Sequence, residues 1–487
     1  MNETDQIKTL KALKEVARER EYPRERQRLA SVRVSPGSYL AAASVLTFAS
    51  ALLLRSDQNL FALAVVGIAW LLVPALALTD RIEFDGLGLI RRGPAPFLQR
   101  LISGRPKQLR LEDFERVDTQ ALRTLRRGGR VRYRYRTQIV GRNTQFTFAS
   151  GGRSYRQMIK ELLPRVHQDK LDIRTLELRD YLCDPKALNR EVEVLHLASA
   201  EVLDSATLDF KLGGKKQKTD DLKGVTDAVT TVDSSAAVDL ERANSLGALG
   251  NKLRVAGRLN QAREAFRRAL IIHPGDGRLI FEFARLLRSQ ASSLSDAKLL
   301  LRSRAALRLA AMRAGHAPGL LALIGESFLE WGEVDRAQHT FQKSIELEPG
   351  NLRSRLGLAN LALRDGKLAH VIHQYREAAR SASEKSLSGY ARREADYYAL
   401  LNDDDDYLAT ELRRINWLQH SLRVRRLAAR VTNASILIAL IGPYVETSIA
   451  GICWSLASSS LVAWISSLFA IKFLTARRRP PIVNPLL

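Results

Sequence analysis

The sequence predicts a multidomain membrane protein with three kinds of part: an α-helical solenoid, a small β-rich domain and two transmembrane helical hairpins. Three observations carry that fold class. Paired apolar runs lie near both ends of the 487-residue chain. Between the first pair and the middle, short segments alternate apolar and polar residues at the strand period. From residue 243 to 378 the chain repeats itself with a period of 34 residues.

Residues 1–36 carry Ile7, Leu10, Leu13 and Val16 at helical spacing in a strongly charged background, which predicts an amphipathic cytoplasmic helix. Residues 37–79 form the first hairpin. Its runs, 38–54 and 60–78, hold no charged residue and are separated by Arg55-Ser-Asp57-Gln-Asn59. At the helical rise such lengths span roughly 25–28 Å, close to the hydrocarbon thickness of a bilayer. A cleaved signal peptide fits poorly, because 37 residues precede the first run and a second run follows at once.

Residues 80–168 change to strand character. Segments 81–84, 88–91, 114–117, 131–135 and 145–148 read as short strands, separated by turn signals such as Asp85-Gly86, Arg127-Gly-Gly129 and Gly141-Arg-Asn143. A helix follows over 154–166, with Tyr155, Met158, Ile159, Leu162 and Val166 on one side. Such a helix closes the open end of a small sheet that otherwise leaves its inner face wet. The strand order, the segment from Ile82 to Arg92 and the closing helix resemble the pleckstrin-homology-like domains of bacterial membrane proteins.

This domain is also the basic part of the chain. The net charge is +24, and residues 81–165 hold 20 Lys and Arg against 7 Asp and Glu. Arg123, Arg126, Arg127, Arg130, Arg132, Arg134 and Arg136 are its densest group, and the alternation from 130 to 136 puts arginines on one strand face and Val131, Tyr133 and Tyr135 on the other. Tethered beside a bilayer, these arginines are expected to contact anionic lipids, each contributing about 1 kcal/mol. A nucleic acid is the weaker alternative for arginine with interleaved tyrosine; a solvated face without a ligand is the bland one.

Residues 169–240 read as a partly ordered segment followed by a polar linker (213–235), and residues 241–402 as helical repeats. Leu246, Leu249-Gly250, Leu253, Gly257, Ala262, Phe266, Ala269 and Pro274 recur 75 residues later as Leu321, Ile324-Gly325, Phe328, Gly332, Ala337, Phe341, Ser344 and Pro349. A further step of 34 gives Leu358-Ala359, Ala362, Gly366, Val371, Tyr375 and Ala378. The unit between, 280–318, is expected to be degenerate, with a longer loop or second helix around 289–296. Residues 387–401 are expected to be a capping helix. This pattern resembles the tetratricopeptide repeat, in which helix pairs stack because none can bury its apolar face alone. The resemblance implies a concave groove that binds a protein partner. Asn251, Arg254, Glu326 and Asn360 are the groove residues it suggests, Asn251 and Asn360 sharing a register that commonly contacts peptide backbone in that family.

Residues 403–426 are expected to form an interfacial helix, with Trp417 at headgroup depth, and 427–475 a second hairpin ahead of a basic tail at 476–487. Arginines cluster outside both hairpins (Arg24, Arg26, Arg28 and Arg33; Arg423, Arg425 and Arg426; Arg477, Arg478 and Arg479), while the turns between runs carry one. The positive-inside rule then puts both termini and the middle of the chain in the cytoplasm. With its Ala-, Leu- and Arg-rich usage, the expected location is a bacterial inner membrane. The two cysteines, Cys183 and Cys453, exclude a disulfide framework and a cysteine zinc site.

No motif for catalysis is present: no phosphate loop, metalloprotease helix or nucleophile elbow. His370 and His373 lack a third ligand, Asp403 to Asp406 lack the glycine and glutamate of a calcium loop, and His273 and Asp276 flank a repeat boundary. No catalytic residue, metal or cofactor is expected. The function expected is that of a membrane-anchored adaptor. The alternatives are an accessory subunit of a transport or envelope-assembly complex, packing its helices through Ser455, Ala457, Ser458, Ser459 and Ser460, and a tethered nucleic-acid-binding protein. The oligomeric state and the identity of the partner have no signature.

Overall fold

The computed structural model describes residues 29–34, 37–94, 96–97, 108–125, 131–142, 144–149, 152–197, 234–441 and 447–477. The helix expected over 1–36 lies mostly outside them. Its last part is instead a strand, β1 (Ala30–Arg33), in which Ala30 and Val32 are buried and alternate with Ser31 and Arg33. This strand pairs antiparallel with β2 (Arg81–Phe84), Val32 facing Ile82. The β domain therefore begins before the first helical hairpin and resumes after it, so the boundary expected at residue 80 moves to about residue 29.

Four strands, β1, β2, β3 (Gly88–Arg92) and β4 (Gln108–Arg110), form one antiparallel sheet in that order. β5 (Phe114–Leu125), β6 (Val131–Gly141) and β7 (Gln145–Ala149) form a second. Phe84, Leu89, Phe114, Ile139, Phe146 and Phe148 fill the space between the sheets. The helix α3 (Arg153–Leu162) closes that core with Tyr155, Met158, Ile159 and Leu162. Tyr155 is buried there and shares a 2.8 Å hydrogen bond with Thr137.

The inserted hairpin consists of α1 (Gly37–Arg55) and a continuous helix α2 (Asn59–Thr79) with one π turn at Ile68–Leu72. Its two ends are tied to the sheet through Asp80, which is fully buried. The Tyr39 hydroxyl donates to Asp80 Oδ2 (2.7 Å), and Arg91 Nε on β3 donates to Oδ1 (3.0 Å). A side chain on Gly93 would collide with Asp80, at 2.8 Å from its Cα. Among the described residues, two helical stretches are long and apolar enough to cross a membrane, Asn59–Thr79 and Gly451–Thr475.

After α3 come two short helices, α4 (Ile173–Tyr181) and α5 (Pro185–Val194), in the segment whose fold the sequence left open. The solenoid then runs as helix pairs. The first members are α6 (Ser234–Val255), α8 (Gly277–Leu294), α10 (Pro318–Glu330) and α12 (Leu352–Arg364). The second members are α7 (Leu259–Ile272), α9 (Ala297–Arg313), α11 (Val334–Leu347) and α13 (Leu368–Ser381).

Residue size explains the period. A Cβ on Gly250 would stand 2.7 Å from the Phe266 ring, and one on Gly325 2.6 Å from Phe341, so the first helix can approach the second only through glycine. Gly257, Gly332 and Gly366 turn the chain within each pair at φ of 83°, 82° and 74°, a region closed to most side chains. Pro274 and Pro349 follow the second helices, which end at Ile272 and Leu347. The unit expected to be degenerate is a full pair, and residues 289–294 continue α8 rather than forming a loop. It is lengthened instead, with Asp296 capping α9 by accepting from Lys298 N at 2.8 Å.

The terminal helix α14 (Lys385–Asp403) packs on α13 through Leu387, Ala391, Ala395 and Tyr398. A single helix of 37 residues, α15 (Asp405–Ile441), replaces the separate interfacial and membrane helices expected from 403 onward. Asp404 caps it, accepting from Tyr407 N at 2.9 Å, and residues 405–441 contain neither glycine nor proline to break it. It packs along α16 (Thr447–Arg477), where Thr432 and Ser460 share a 2.8 Å hydrogen bond. Phe48 of α1 joins Ala457 and Leu461 of α16 in one cluster, so the first hairpin touches the last helix pair.

Candidate protein-binding site: the first-helix face of the solenoid

The first helices of the pairs lie side by side and present a row of charged and amide side chains. Continuing the register of Asn251 through the lengthened unit gives Arg285, then Glu326, then Asn360. One more turn along α6 and α10 stand Arg254 and Glu330. In the folded chain this row is largely covered, and the cover is the chain's own α4 with the turn before it.

Glu177 of α4 is the centre of the contact. Arg254 grips its carboxylate with both terminal nitrogens, one at 3.1 Å, and Arg285 reaches the same carboxylate from α8. All three side chains are nearly buried, at 14%, 8% and 10% exposure, so solvent screens the group little. Burial alone pushes the pKa of Glu177 up; Arg254 and then Arg285 outweigh it and hold the carboxyl below its ordinary range. The same burial pulls Arg285 down, whereas Arg254, gripped bidentately, is raised by Glu177 against its own burial.

Asn251 links this group to the next. Its carbonyl oxygen accepts from Arg254 at 3.1 Å, and its amide donates to Glu282, which also accepts from the Tyr181 hydroxyl at 2.9 Å. Farther along, Arg174 pairs with Glu330. Arg353 holds Glu326 at 2.8 Å while donating to the backbone carbonyls of Gln168 (3.1 Å) and Leu171 (2.8 Å). Burial raises the Glu326 carboxyl in spite of Arg353. At the far end Lys170, almost fully buried, pairs with Glu384, the residue before α14, and Arg393 pairs with Glu115 at the start of β5. Two apolar pegs accompany these polar contacts: Ile173 enters the solenoid core, and Val255 enters the β-domain core, its carbonyl accepting from Tyr135 at 2.8 Å.

On its other side α4 belongs to the β domain. Leu178 lies in that core, and the Thr175 hydroxyl donates to Thr119 at 2.8 Å. Asp172 caps α4 by accepting from Thr175 N at 2.9 Å. Its carboxyl is pushed up to about 7, first by burial and then by neighbouring Asp118, with Arg116 opposing.

Of the groove residues expected from sequence, Asn251, Arg254 and Glu326 are thus brought together, but against the chain itself. Asn251 is fully buried and Arg254 is 7% exposed, which corrects the expectation that both are open. Asn360, in the same register as Asn251, is exposed, because the cover ends at Arg353. Sequence reasoning missed Glu177, Arg285, Arg353, Glu330 and Tyr181. Arg285 was within reach, since Phe283-Ala284 aligns with Leu249-Gly250 and puts it in the Asn251 position.

The basic sheet is a separate surface. Arg134 and Arg136 on β6 are exposed while Tyr133 and Tyr135 are half-buried, the alternation the sequence indicates. Arg123 and Arg132 lie on β5 and β6, whereas Arg126, Arg127 and Arg130 fall outside the described residues. His370 and His373 are both exposed on α13, and among the described residues no cluster of His, Cys, Asp and Glu is placed to hold a metal.

No family model matches the chain, and no curated protein matches it. Among solved structures, that of MamA aligns with 30% of this chain and 82% of its own length, at 16% identity and a TM-score of 0.24. So low a score carries no argument, and the TPR-like solenoid rests on the helix pairs, turn glycines and ring contacts described above.

Proposed function

We propose that the chain is a membrane-anchored scaffold whose solenoid binds a protein partner on its first-helix face. The observation that supports this reading is the charged row from Arg254 to Arg353, which holds a helical segment by a bidentate carboxylate and by backbone carbonyls, the features any helical peptide can offer. In this reading α1, α2, α16 and the upper half of α15 cross a bacterial inner membrane as two hairpins, with both termini and the solenoid cytoplasmic. The β domain, read as pleckstrin-homology-like, turns Arg134 and Arg136 toward anionic headgroups of the inner leaflet.

Changing both Arg254 and Arg285 to glutamate in the full-length chain tests the partner-binding part. Proteins co-isolated from detergent-solubilised membranes are expected to be lost with the variant and kept with Arg134→Glu, which lies on the other surface; equal capture by all three chains refutes the assignment. Protease added to intact spheroplasts tests the topology, and cleavage within residues 241–402 refutes it.

A further inference from the structure

We propose that α4 is a built-in ligand covering the first-helix face, and that a protein partner enters by replacing it with an acidic helical segment of its own, its carboxylate taking the place of Glu177 between Arg254 and Arg285. This inference rests on the reading of the solenoid as a protein-binding module and adds what that module selects and what restrains it.

Three features carry it. The contact of α4 and the turn before it with the solenoid is mostly polar, built of the Glu177, Arg174, Tyr181, Lys170 and Arg353 interactions, with Ile173 and Val255 as its apolar pegs. Interfaces of that composition separate far more readily than apolar cores do. The unit that leaves is defined, because Leu178, Thr175 and Asp172 keep α4 on the β domain when it departs from the solenoid. The hinge is defined as well. Only Leu182, Cys183 and Asp184 separate α4 from α5, and α5 is anchored in the solenoid by Leu188 and Val192 among Leu249, Leu253 and Phe266. The β domain and solenoid thus stay joined beside the face that opens. A segment that covers Arg254 and Arg285 again without a carboxylate would bury two uncompensated positive charges, which selects a carboxylate over any neutral side chain.

Two lysine–carboxylate pairs in the native chain make the test possible without added labels. Lys170–Glu384 bridges the β domain and α14, whereas Lys252–Glu191, at 2.7 Å, fastens α5 to α6 and lies outside the cover. A carbodiimide converts each close pair to an amide that peptide mass spectrometry quantifies. In the detergent-purified full chain, a synthetic peptide of residues 172–182 is expected to lower the 170–384 link at least fivefold and leave the 252–191 link unchanged. The same peptide with Glu177→Gln is expected to be without effect. Glu177→Arg in the chain itself, and more mildly Glu177→Gln, is expected to lower the 170–384 link alone. The proposal is overturned if the 170–384 link persists in both chain variants, if both links fall together, or if the two peptides compete equally. Co-isolation with the Glu177→Gln chain reports on the scaffold reading separately: an opened chain that captures no protein supports the cover and removes the scaffold.

Discussion

Two neighbouring helices of nearly equal length, α4 and α5, meet the same solenoid by opposite means. α4 touches it chiefly through Glu177, Arg174 and Tyr181, each facing a charged partner. α5 touches it through Leu188 and Val192, buried in the first repeat, with Lys252–Glu191 at the rim. Buried charge pairs give geometry and selectivity with small net stabilisation, because desolvation offsets most of their attraction; buried methyl groups give stability without selectivity. The contrast teaches that α5 is part of the solenoid, its amino-terminal cap, whereas α4 is a guest on it.

The comparison breaks most visibly at Glu177. Its replacement by alanine leaves Arg254 and Arg285 facing each other without a counter-charge, at a cost of about 3–5 kcal/mol to the docked state. Urea unfolding followed by circular dichroism is expected to split into two transitions, the β domain separating from the repeats. Leu188→Ala on the other helix is expected to cost about 3 kcal/mol through lost burial and the cavity left behind. In that variant hydrogen exchange should quicken in α6 and α7 while the 170–384 link survives, a result opposite to that of Glu177→Ala.

Acidity sharpens the comparison further, because Asp172 begins the guest helix. Its folded-state value near 7 lies above the ordinary carboxyl value near 4, so folding takes up a proton between those limits. In that window the folded state holds more protons than the unfolded one, and this group's contribution to stability falls as pH rises from about 4 to about 7, then stays level. Asp172→Asn, which keeps the capping oxygen, is expected to flatten that slope when urea midpoints at pH 5.5 and 8 are compared. The smallest effect is expected from Tyr181→Phe, which removes one hydrogen bond to Glu282 and costs about 1 kcal/mol, measurable as a modest fall in the 170–384 link.

How much of this was legible follows from what each feature needs in sequence. The repeats were legible because their packing demands fixed sizes at fixed spacing, as the Gly250–Phe266 and Gly325–Phe341 contacts show. Strands β2, β3, β5, β6 and β7 were legible by alternation and turn signals, but β4, of three residues, is too short to display a period, and β1 follows a charged stretch that reads as helical. β1 is also parted from β2 by the whole hairpin. The split of α15 into two helices followed a change of composition, which the backbone ignores when nothing interrupts its hydrogen bonds. The groove positions were found by register, but what occupies them was not. Glu177 and Arg254 are 77 residues apart, and an ion pair between distant single residues leaves no pattern.

The placing of the helical hairpin inside a sheet also fixes an order of events during synthesis. β1 leaves the ribosome first and must wait, unpaired, until α1, α2 and finally β2 have followed it. Tyr39, Asp80 and Arg91 can lock together only at that moment. The nascent β domain is therefore completed only once the whole hairpin has been synthesised, and the platform on which the repeats are seated closes after the hairpin rather than before it.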